Sequence, residues 1–414
     1  MKKTLQSLRF GIAALSTMTA GGVMAQENPY YLGAAFGVTH ESNLFRVATG
    51  QPETSDSYTT TSLLAGVNQP FGRQRFYADA AMRHNRYRDN DQLNNTGHAV
   101  SVGLDWETIE RLSGKINYLR NRALARAGAD QGPALTTKNE ETGQEFGASV
   151  RYGLASLLSL EAALKHRQLD YSAVEFNSLE LKEDSLELGV QHTLSGLLTL
   201  GGSVRYSQGK YPFSVQSAPG VFQADDFDRK DLNLTAKWVP TGLSTVRGRL
   251  SYTKESHQVV GSRDVSGVTG ALSWDYKPTA KLAFTTDLIR DTGAEAAFAS
   301  ATAGGGGQIG NSSQLSSIVQ LRALYEATAK IQVEANARYV ERDLVTTFGL
   351  NTGASSVNEG SDRYGQLRLG VSYAPVRNGL VACSVSHEKR GSSSALSYSY
   401  QANVANCYVQ FKLQ

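Results

Sequence analysis

After its first 25 residues, the chain has no apolar run long enough for a transmembrane helix, which takes about 20 residues. Two cysteines among 414 residues exclude a disulfide-rich scaffold, although they allow one bridge. The net charge of +3 is too small to indicate a nucleic-acid partner. Prolines are few, at nine, whereas there are 40 glycines and 19 tyrosines. This balance is typical of many strands joined by tight turns.

The N-terminus has the three parts of a secretory signal peptide. Residues 1–9 are positively charged, residues 10–23 are mostly apolar, and residues 23–25 form a small-x-small cleavage site. The alternative, an uncleaved membrane anchor, needs a longer apolar segment followed by a stop-transfer pattern. We therefore predict a signal peptide over residues 1–25 and a mature domain over residues 26–414.

Apolar and polar residues alternate along much of the mature chain. Clear examples are 146–152, 158–166, 331–339 and 367–373. In the first of these, Phe, Ala, Val and Tyr alternate with Gly, Ser and Arg. A period of two indicates strands with one apolar and one polar face. These segments match the length of a tilted transmembrane strand, which is about 9–11 residues.

Short turns separate the strands into pairs, and longer polar segments lie between the pairs. The short turns centre on 70–73, 108–111, 154–156, 194–196, 240–242, 277–280, 327–329 and 375–378. The long segments include 42–56, 125–140, 209–227 and 292–313. This asymmetry is typical of outer-membrane barrels. We predict an all-β, up-and-down antiparallel transmembrane β-barrel of about 18 strands in the bacterial outer membrane, with short periplasmic turns and long extracellular loops.

Aromatic residues cluster at both ends of the predicted strands. Those before short turns are Trp106, Tyr152, Trp238, Tyr276, Tyr325 and Tyr373, and those near the long segments are Tyr118, Tyr206, Tyr252 and Tyr339. Spanning strands would place them in two girdles at the membrane interfaces. The alternative is that they are ordinary aromatics of a soluble sheet.

The alternation also assigns a lumen-facing side. A charge that faces lipid costs about 2–4 kcal/mol near the bilayer centre. We therefore assign the strand face that carries the charged residues to the inside of the barrel. The arginines assigned to the lumen are Arg75, Arg83, Arg151, Arg167, Arg205, Arg247, Arg249, Arg322, Arg338 and Arg368. Two interpretations remain open. The basic groups attract anionic solutes or sugars, or they pair with inward carboxylates and hold no ligand.

Sequence motifs for catalysis and cofactor binding are absent. The seven histidines lack metal-ligand spacing, and the chain has neither a G-x-S-x-G motif nor a phosphate-binding loop. We expect no cofactor and predict that the protein is not an enzyme.

The two cysteines, Cys383 and Cys407, are centred on residue 395, within the last long connection. A hairpin that turns there would place them opposite each other, and the periplasm is oxidising. The sequence allows either a cross-strand disulfide or two lipid-facing thiols that never pair.

Two segments resemble a known family of barrels. PFGRQRFYADAAMRHNRY at 70–87 and LNNTGHAVSVGLDWETIERLSGKINYLRNRA at 93–123 are similar to EpsL-like outer-membrane proteins of exopolysaccharide operons, which are exosortase-associated and of the β-barrel porin type. The closing hairpin, with PVRNGLVACSVSHE and NCYVQFKLQ, is a weaker match. The resemblance implies a role in exopolysaccharide synthesis or export, alongside periplasmic polysaccharide-export proteins. It supplies no catalytic residues.

Three functions are therefore in view. The first is a channel that passes or binds a hydrated polysaccharide through a polar, mildly basic lumen. The second is a general diffusion porin for small solutes. The third is a structural or enzymatic barrel that is closed by its loops. All three share outer-membrane lipid as a partner, and only the resemblance favours the first over the second.

Overall fold

The computed structural model describes residues 28–125, 138–153, 157–218, 221–295, 313–349, 355–394 and 396–413. The predicted signal peptide lies outside these ranges. Within them, no helix is long and apolar enough to cross a membrane. The strands are β1 Tyr30–Glu41, β2 Asp56–Phe71, β3 Gln74–Tyr87, β4 Asn95–Glu107, β5 Leu112–Leu124, β6 Glu140–Gly153, β7 Leu158–Tyr171, β8 Leu181–Thr193, β9 Leu198–Ala218, β10 Val221–Thr241, β11 Ser244–His257, β12 Val265–Thr279, β13 Leu282–Thr292, β14 Ser313–Glu326, β15 Ile331–Gly349, β16 Ser355–Val376, β17 Gly379–Ser392 and β18 Tyr400–Leu413.

The sheet closes on itself. Each strand pairs antiparallel with the next along the chain, and β1 also pairs with β18. At this seam Leu32 lies opposite Leu413, and Glu41 lies opposite Val404. Closure leaves no sheet edge, which is the condition that hydrocarbon imposes on spanning strands. The ring confirms the predicted 18-stranded antiparallel barrel.

The two faces of the barrel differ in polarity. On β1, Leu32, Phe36 and Val38 are exposed, whereas Thr39 and Glu41, which have the opposite parity, are buried. Large apolar side chains are exposed in the same way around the ring, on strands of 11 to 22 residues. Strands of this length can cross a bilayer, and an outward apolar band is the surface that lipid requires. The protein is therefore a transmembrane barrel of the bacterial outer membrane.

The short turns lie together at one end of the barrel. Seven of the eight predicted turns are described, and each joins consecutive strands, while 154–156 lies outside the described residues. In the turn between Phe71 and Gln74, Gly72 has a φ of 62°, a left-handed conformation that glycine adopts without steric cost. By the length rule for outer-membrane barrels, this end is periplasmic and the long loops are extracellular.

The predicted girdle aromatics lie on the outward face. Near the turns, Tyr152 and Trp238 are 57% and 50% exposed. Near the loops, Tyr206, Tyr252 and Tyr339 are also exposed. Their rings therefore lie at the two levels where lipid headgroups meet water.

The predicted long loop at 209–227 is wrong. Strand β9 continues to Ala218 and β10 begins at Val221, so most of this segment is a paired hairpin. Asp226, Asp228 and Lys230 point outward there, in the parity of the lipid-facing Leu232. The outer face of the hairpin is polar because the hairpin extends beyond the hydrocarbon, whereas Tyr211 and Phe227 are buried on its inner face. The sequence therefore loses its outward apolar residues although the backbone stays extended.

Packing inside the barrel is concentrated at the loop end. One apolar cluster consists of Leu169, Leu181, Tyr211, Phe227 and Ala294, a second of Ile318, Val340, Tyr364 and Tyr400, and a third of Leu44, Phe45, Tyr87 and Leu93. Short 3₁₀ helices at Asp91–Leu93, Val174–Leu179 and Gly261–Arg263 lie in the connections at this end. The extracellular half of the interior is therefore filled more than the periplasmic half.

Candidate functional site: the barrel lumen

The ten arginines assigned to the lumen all lie on the inward parity of their strands. The cross-strand register shows this directly, because Arg205 lies opposite Asp231, which in turn lies opposite Thr253 on the next strand. Outward neighbours such as Val204 and Leu232 are exposed apolar residues. The lumen is therefore lined by charged and hydroxyl side chains.

Near the periplasmic turns the inward charges are solvated. The side chains of Arg75 and Lys115 are 43% and 38% exposed, and both approach Asp105, at 4.0 and 3.5 Å. Arg247 contacts Asp275 at 2.5 Å, and Arg151 pairs with Glu161 on the adjacent strand. These pairs are exposed to solvent, so each contributes little to stability. They leave this half of the lumen polar and accessible.

Nearer the loops the inward charges are buried in a network around Glu295. The segment 293–295 follows β13 and turns into the barrel, where Ala294 packs against Leu169 and Phe227. The two carboxylate oxygens of Glu295 each accept a hydrogen bond of 2.9 Å from Arg167. One of them also lies 2.8 Å from Arg205. One loop carboxylate therefore holds the guanidinium groups of β7 and β9.

The same network continues across β10 and β11. Arg229, whose side chain is 1% exposed, contacts Asp231 at 3.0 Å and Asp291 at 2.8 Å. Arg249 contacts the second oxygen of Asp291 at 2.6 Å. Charged groups buried to this degree are tolerated only when they are paired and hydrogen-bonded. Arg167 also lies 2.6 Å from Glu183 on β8. We call the set Arg167, Arg205, Arg229, Arg249, Glu183, Asp231, Asp291 and Glu295 the Glu295 network.

The electrostatics of Glu295 follow from its neighbours. Burial by itself would raise the pKa of its carboxyl group, but Arg167, Arg205 and Arg229 together hold that pKa well below its usual range. Glu295 is therefore ionised throughout the neutral pH range, and the segment that carries it stays attached to the wall of the barrel.

A second loop segment enters the barrel after β1. Arg46 has a φ of 49°, in the left-handed region that is unusual for a residue with a side chain. Its buried guanidinium group pairs with Glu41 and lies 2.6 Å from Glu388 on β17. Tyr364 donates a 2.8 Å hydrogen bond to the other oxygen of Glu388. The strained backbone is therefore held by a buried ion-pair contact to the opposite end of the chain.

A third buried group lies beside this one. Asp362 on β16 pairs with Arg342 on β15, and Ser397 donates it a 2.7 Å hydrogen bond. Arg390 approaches the same carboxylate at 3.7 Å, and its guanidinium carbon lies 5.0 Å from the ring centre of Tyr400. Together with the Arg46 contacts, these residues fix the loop end of β15–β18.

Four of the predicted lumen arginines have no ion-pair partner among the described residues, and three of these lie on adjacent strands. Arg322, Arg338 and Arg368 lie inward on the adjacent strands β14, β15 and β16, and Asn336 is opposite both Arg322 and Arg368. Among the described residues, none of the three has a carboxylate within 4.0 Å, and only Arg368 has a hydrogen-bond partner, Ser384 at 3.1 Å. We call them the β14–β16 arginine patch.

The remaining predicted residues are scattered. Arg83 lies inward on β3, and no ion-pair partner is found for it in the ranges that the structure covers. The most buried charges, Arg229, Arg342, Arg390 and Glu388, were missed because they lie near the loop ends of strands or pair with loop residues. Arg229 lies two residues before the inward Asp231 on β10, so the alternation alone identifies Arg229 as inward. No comparable signal in the sequence identifies Arg46 or Glu295 as inward.

The two cysteines are opposite each other, as the predicted hairpin requires. Cys383 pairs in register with Cys407, with a Cα–Cα distance of 4.0 Å, and the structure joins their sulfur atoms in a disulfide. Both residues lie on the outward face, between Val381 and Val385 on β17 and next to Val409 on β18. The bridge therefore faces lipid and takes no part in lining the lumen.

Comparisons with known proteins find similarity in fold only. No family model and no curated protein matches the chain. Among solved structures, the outer membrane protein OpdK from Pseudomonas aeruginosa covers 93% of this chain and 98% of its own length, with 13% identity and a TM-score of 0.46. OccAB4 from Acinetobacter baumannii covers 94% and 99%, with 9% identity and a TM-score of 0.44. The siderophore receptor PirA from Acinetobacter baumannii covers 93% and 81%, with 7% identity and a TM-score of 0.44.

Similarity at this level says nothing about what this chain transports. The resemblance to the EpsL-like family receives no support from these comparisons, so the exopolysaccharide role stays a prediction from sequence.

Proposed function

We propose that the protein is a porin-like diffusion channel for small solutes, the second of the three functions considered from sequence. The observation that carries the proposal is a closed ring of 18 strands whose inward charges are solvated at the periplasmic end. Side chains can fill the interior of a barrel of about 8 strands, whereas rings of about 16–18 strands enclose an aqueous lumen.

The loop end supplies the narrow part of the proposed channel. Segments 43–46 and 293–295 both turn inward and are attached by buried ion pairs, the first to Glu388 and the second to Arg167 and Arg205. A solute that enters from outside would pass between charged walls that do not rearrange at neutral pH. Size and charge would then set which solutes pass.

The β14–β16 arginine patch gives the channel a preference for anions. Since no described carboxylate lies within salt-bridge distance, its positive charge is not cancelled locally. A narrow passage with low-dielectric walls strengthens the field of such charges and raises the local concentration of the opposite ion. We infer a modest preference for small anions over cations.

Planar bilayers test the proposal. The detergent-purified, folded protein should give steady single-channel conductance with a reversal potential that indicates anion preference, and added polysaccharide should leave the conductance unchanged. Heat-unfolded protein is the control. Absence of conductance from protein that keeps its folded mobility on a gel would refute a channel.

The same experiment distinguishes the exopolysaccharide hypothesis from the proposed diffusion channel. That hypothesis expects added acidic or neutral polysaccharide to block the current in a concentration-dependent manner. It would also gain support if deletion of the gene trapped polymer in the periplasm. It has no specific support among the described residues, and neither do periplasmic export partners.

A further inference from the structure

The disulfide between Cys383 and Cys407 lies well inside the apolar outer band of the barrel. On β18, Phe411 lies four positions after Cys407, at the turn end, and Asn403 lies four positions before it. Asn403 is opposite His387, and these two form the first outward polar pair above the bridge, with Oδ1 and Nδ1 2.8 Å apart. At a rise of about 3.3 Å per residue and a tilt of about 40°, the bridge is about 10 Å from either boundary, in a band about 25 Å tall.

The lateral neighbours of the bridge are apolar as well. Cys383 lies opposite Val371 on β16, and Cys407 lies opposite Val38 on β1. These two valines are 51% and 47% exposed on the outer surface, and Val385, the next outward residue on β17, is exposed too. In the inserted barrel, acyl chains therefore surround the two sulfur atoms.

This position determines when the bridge can form. Thiol–disulfide exchange begins with a thiolate, which attacks a sulfur atom of another disulfide. An isolated charge is too costly in hydrocarbon to serve as that nucleophile, and the redox proteins of the periplasm work in water. The two cysteines must therefore be oxidised while they are still in water, before β17 and β18 enter the membrane.

Formation of the bridge also requires one particular pairing of the two strands. Cysteines can be joined only when their Cα atoms are within about 7 Å of each other, and the Cα atoms of Cys383 and Cys407 are 4.0 Å apart. A slip of one residue would turn one side chain to the opposite face, and a slip of two would separate the Cα atoms by about 7–8 Å. The bridge therefore fixes the native register of the strand that closes the ring against β1.

We propose that a periplasmic dithiol oxidase forms the Cys383–Cys407 bridge before insertion, so that β17 and β18 reach the membrane as a covalently fixed hairpin in native register. One cysteine thiolate attacks the disulfide of the oxidase, which gives a mixed disulfide and releases one oxidase thiolate. The second cysteine thiolate attacks the sulfur of the first, which forms the bridge and releases the oxidase as a dithiol. The chain gives up two protons and two electrons, and the oxidase disulfide accepts both electrons. This order of events is independent of whether the lumen conducts.

Unassembled protein in intact cells tests this order. The full chain is expressed in Gram-negative cells that lack the periplasmic protease for unassembled barrels and in which the outer-membrane assembly machinery is depleted. Acid quenching and a mass-adding maleimide report the bridged fraction, and heat-modifiable mobility on a gel reports assembly. We expect most of the unassembled chain to be bridged, and less of it in cells without the oxidase. Free thiols in the unassembled chain, or an unchanged bridged fraction without the oxidase, would overturn the proposal.

Relocated cysteines distinguish a hairpin in register from chance encounters in a flexible chain. In the background Cys383→Val/Cys407→Val, the changes Val381→Cys/Val409→Cys move the pair to the next outward cross-strand position, where it should be bridged as fast as in the parent chain. The matched control, Cys383→Val/Val381→Cys, leaves its partner Cys407 two residues out of register. It should be bridged at least about 10-fold more slowly, because the diagonal Cα distance of about 7–8 Å is too long for a bridge. Equal rates for the two variants in the unassembled chain would overturn the paired hairpin.

The inserted protein gives a further test. The parent protein is reduced in urea, refolded into bilayers and treated with oxidised glutathione, a water-soluble disulfide. Its two thiols should stay reduced, whereas the same reagent should bridge them in the urea-unfolded chain. Rapid bridging in the bilayer would show that the disulfide can form after insertion and would overturn the proposal.

Discussion

Glu295 and Arg167 are 128 positions apart in the chain, yet two parallel hydrogen bonds of 2.9 Å join them inside the barrel. This pairing connects a segment after β13 to the far wall at β7. It also places a buried negative charge among three arginines, each of which has a further carboxylate partner in the barrel wall. Several predictions about conductance and stability depend on it and on the equivalent contact of Arg46.

Substitution of Glu295 should loosen the inward segment. Glu295→Gln removes a charge whose loss from a buried pair typically costs about 3–5 kcal/mol, so segment 293–295 should detach from Arg167 and Arg205. We expect larger single-channel conductance in planar bilayers. The control is Glu326→Gln, an exposed carboxylate at the turn end of β14. Conductance equal to that of the parent protein would show that this segment does not limit the passage.

The pH dependence of conductance should follow the same group. A carboxyl whose pKa is depressed in the folded state stabilises that state above its ordinary pKa of about 4.3, and the stabilisation is lost as pH falls through the lower folded value. Conductance should therefore be constant from neutral pH down to about pH 5 and change only below about pH 4. A transition near pH 6 would contradict the assignment to Glu295.

Ion selectivity should respond to the β14–β16 arginine patch. Arg322→Gln/Arg338→Gln removes two inward positive charges that have no described ion-pair partner, so the reversal potential in a salt gradient should shift towards cation preference. The matched control is Lys254→Gln/Arg290→Gln, which removes two charges from the outward face. Equal shifts in the two double variants would mean that the patch does not face the conducting path.

Stability should depend on the buried contact of Arg46. Arg46→Gln leaves Glu388 and Glu41 buried without their cation, so we expect a loss of about 3–5 kcal/mol in the free energy of unfolding. Adding Glu388→Gln should recover part of it, because the uncompensated charge is removed as well.

Urea titration of the folded protein in detergent measures these differences. Arg88→Gln serves as the control, because the Arg88 side chain is 79% exposed and its pairing with Asp89 contributes little. If Arg46→Gln were no more destabilised than Arg88→Gln, the pairing of Arg46 would contribute nothing to the fold.

The disulfide gives a chemical prediction. Folded, unreduced protein should show no alkylation of Cys383 or Cys407, and two alkylated thiols should appear only after reduction. Replacement of both by Ala should lower the free energy of unfolding by about 2–4 kcal/mol, since the bridge closes a loop with a sequence separation of 24. Two alkylated thiols in the unreduced protein would establish the lipid-facing free thiols as the correct alternative.

Strand number, the positions of the seven described turns and the register of the final hairpin were all predictable from sequence. The reason is that lipid imposes a strict period of two, and Cys383 and Cys407 fall symmetrically about residue 395. Where a strand leaves the hydrocarbon, this constraint ends. Most of segment 209–227 was mistaken for a loop because residues such as Lys210 and Asp226 can face water on the outside of the hairpin.

The inward loop segments were not predictable for a different reason. Arg46 and Glu295 reach their partners through loop conformations, and neither spacing nor periodicity connects Arg46 with Glu388 or Glu295 with Arg167. The ten lumen arginines could be assigned to a face by parity, but whether each is paired depends on side chains from distant strands.

The seam between β1 and β18 has a consequence for how the molecule is built. All the remaining pairings join strands that are consecutive in the chain, so each of those hairpins can form as soon as both of its strands are available. The ladder from Leu32–Leu413 to Glu41–Val404 needs both ends of the domain, so insertion can finish only after the last strand has been delivered. Until then two strands present unpaired backbone edges, and this interval is when the chain is most exposed to wrong partners.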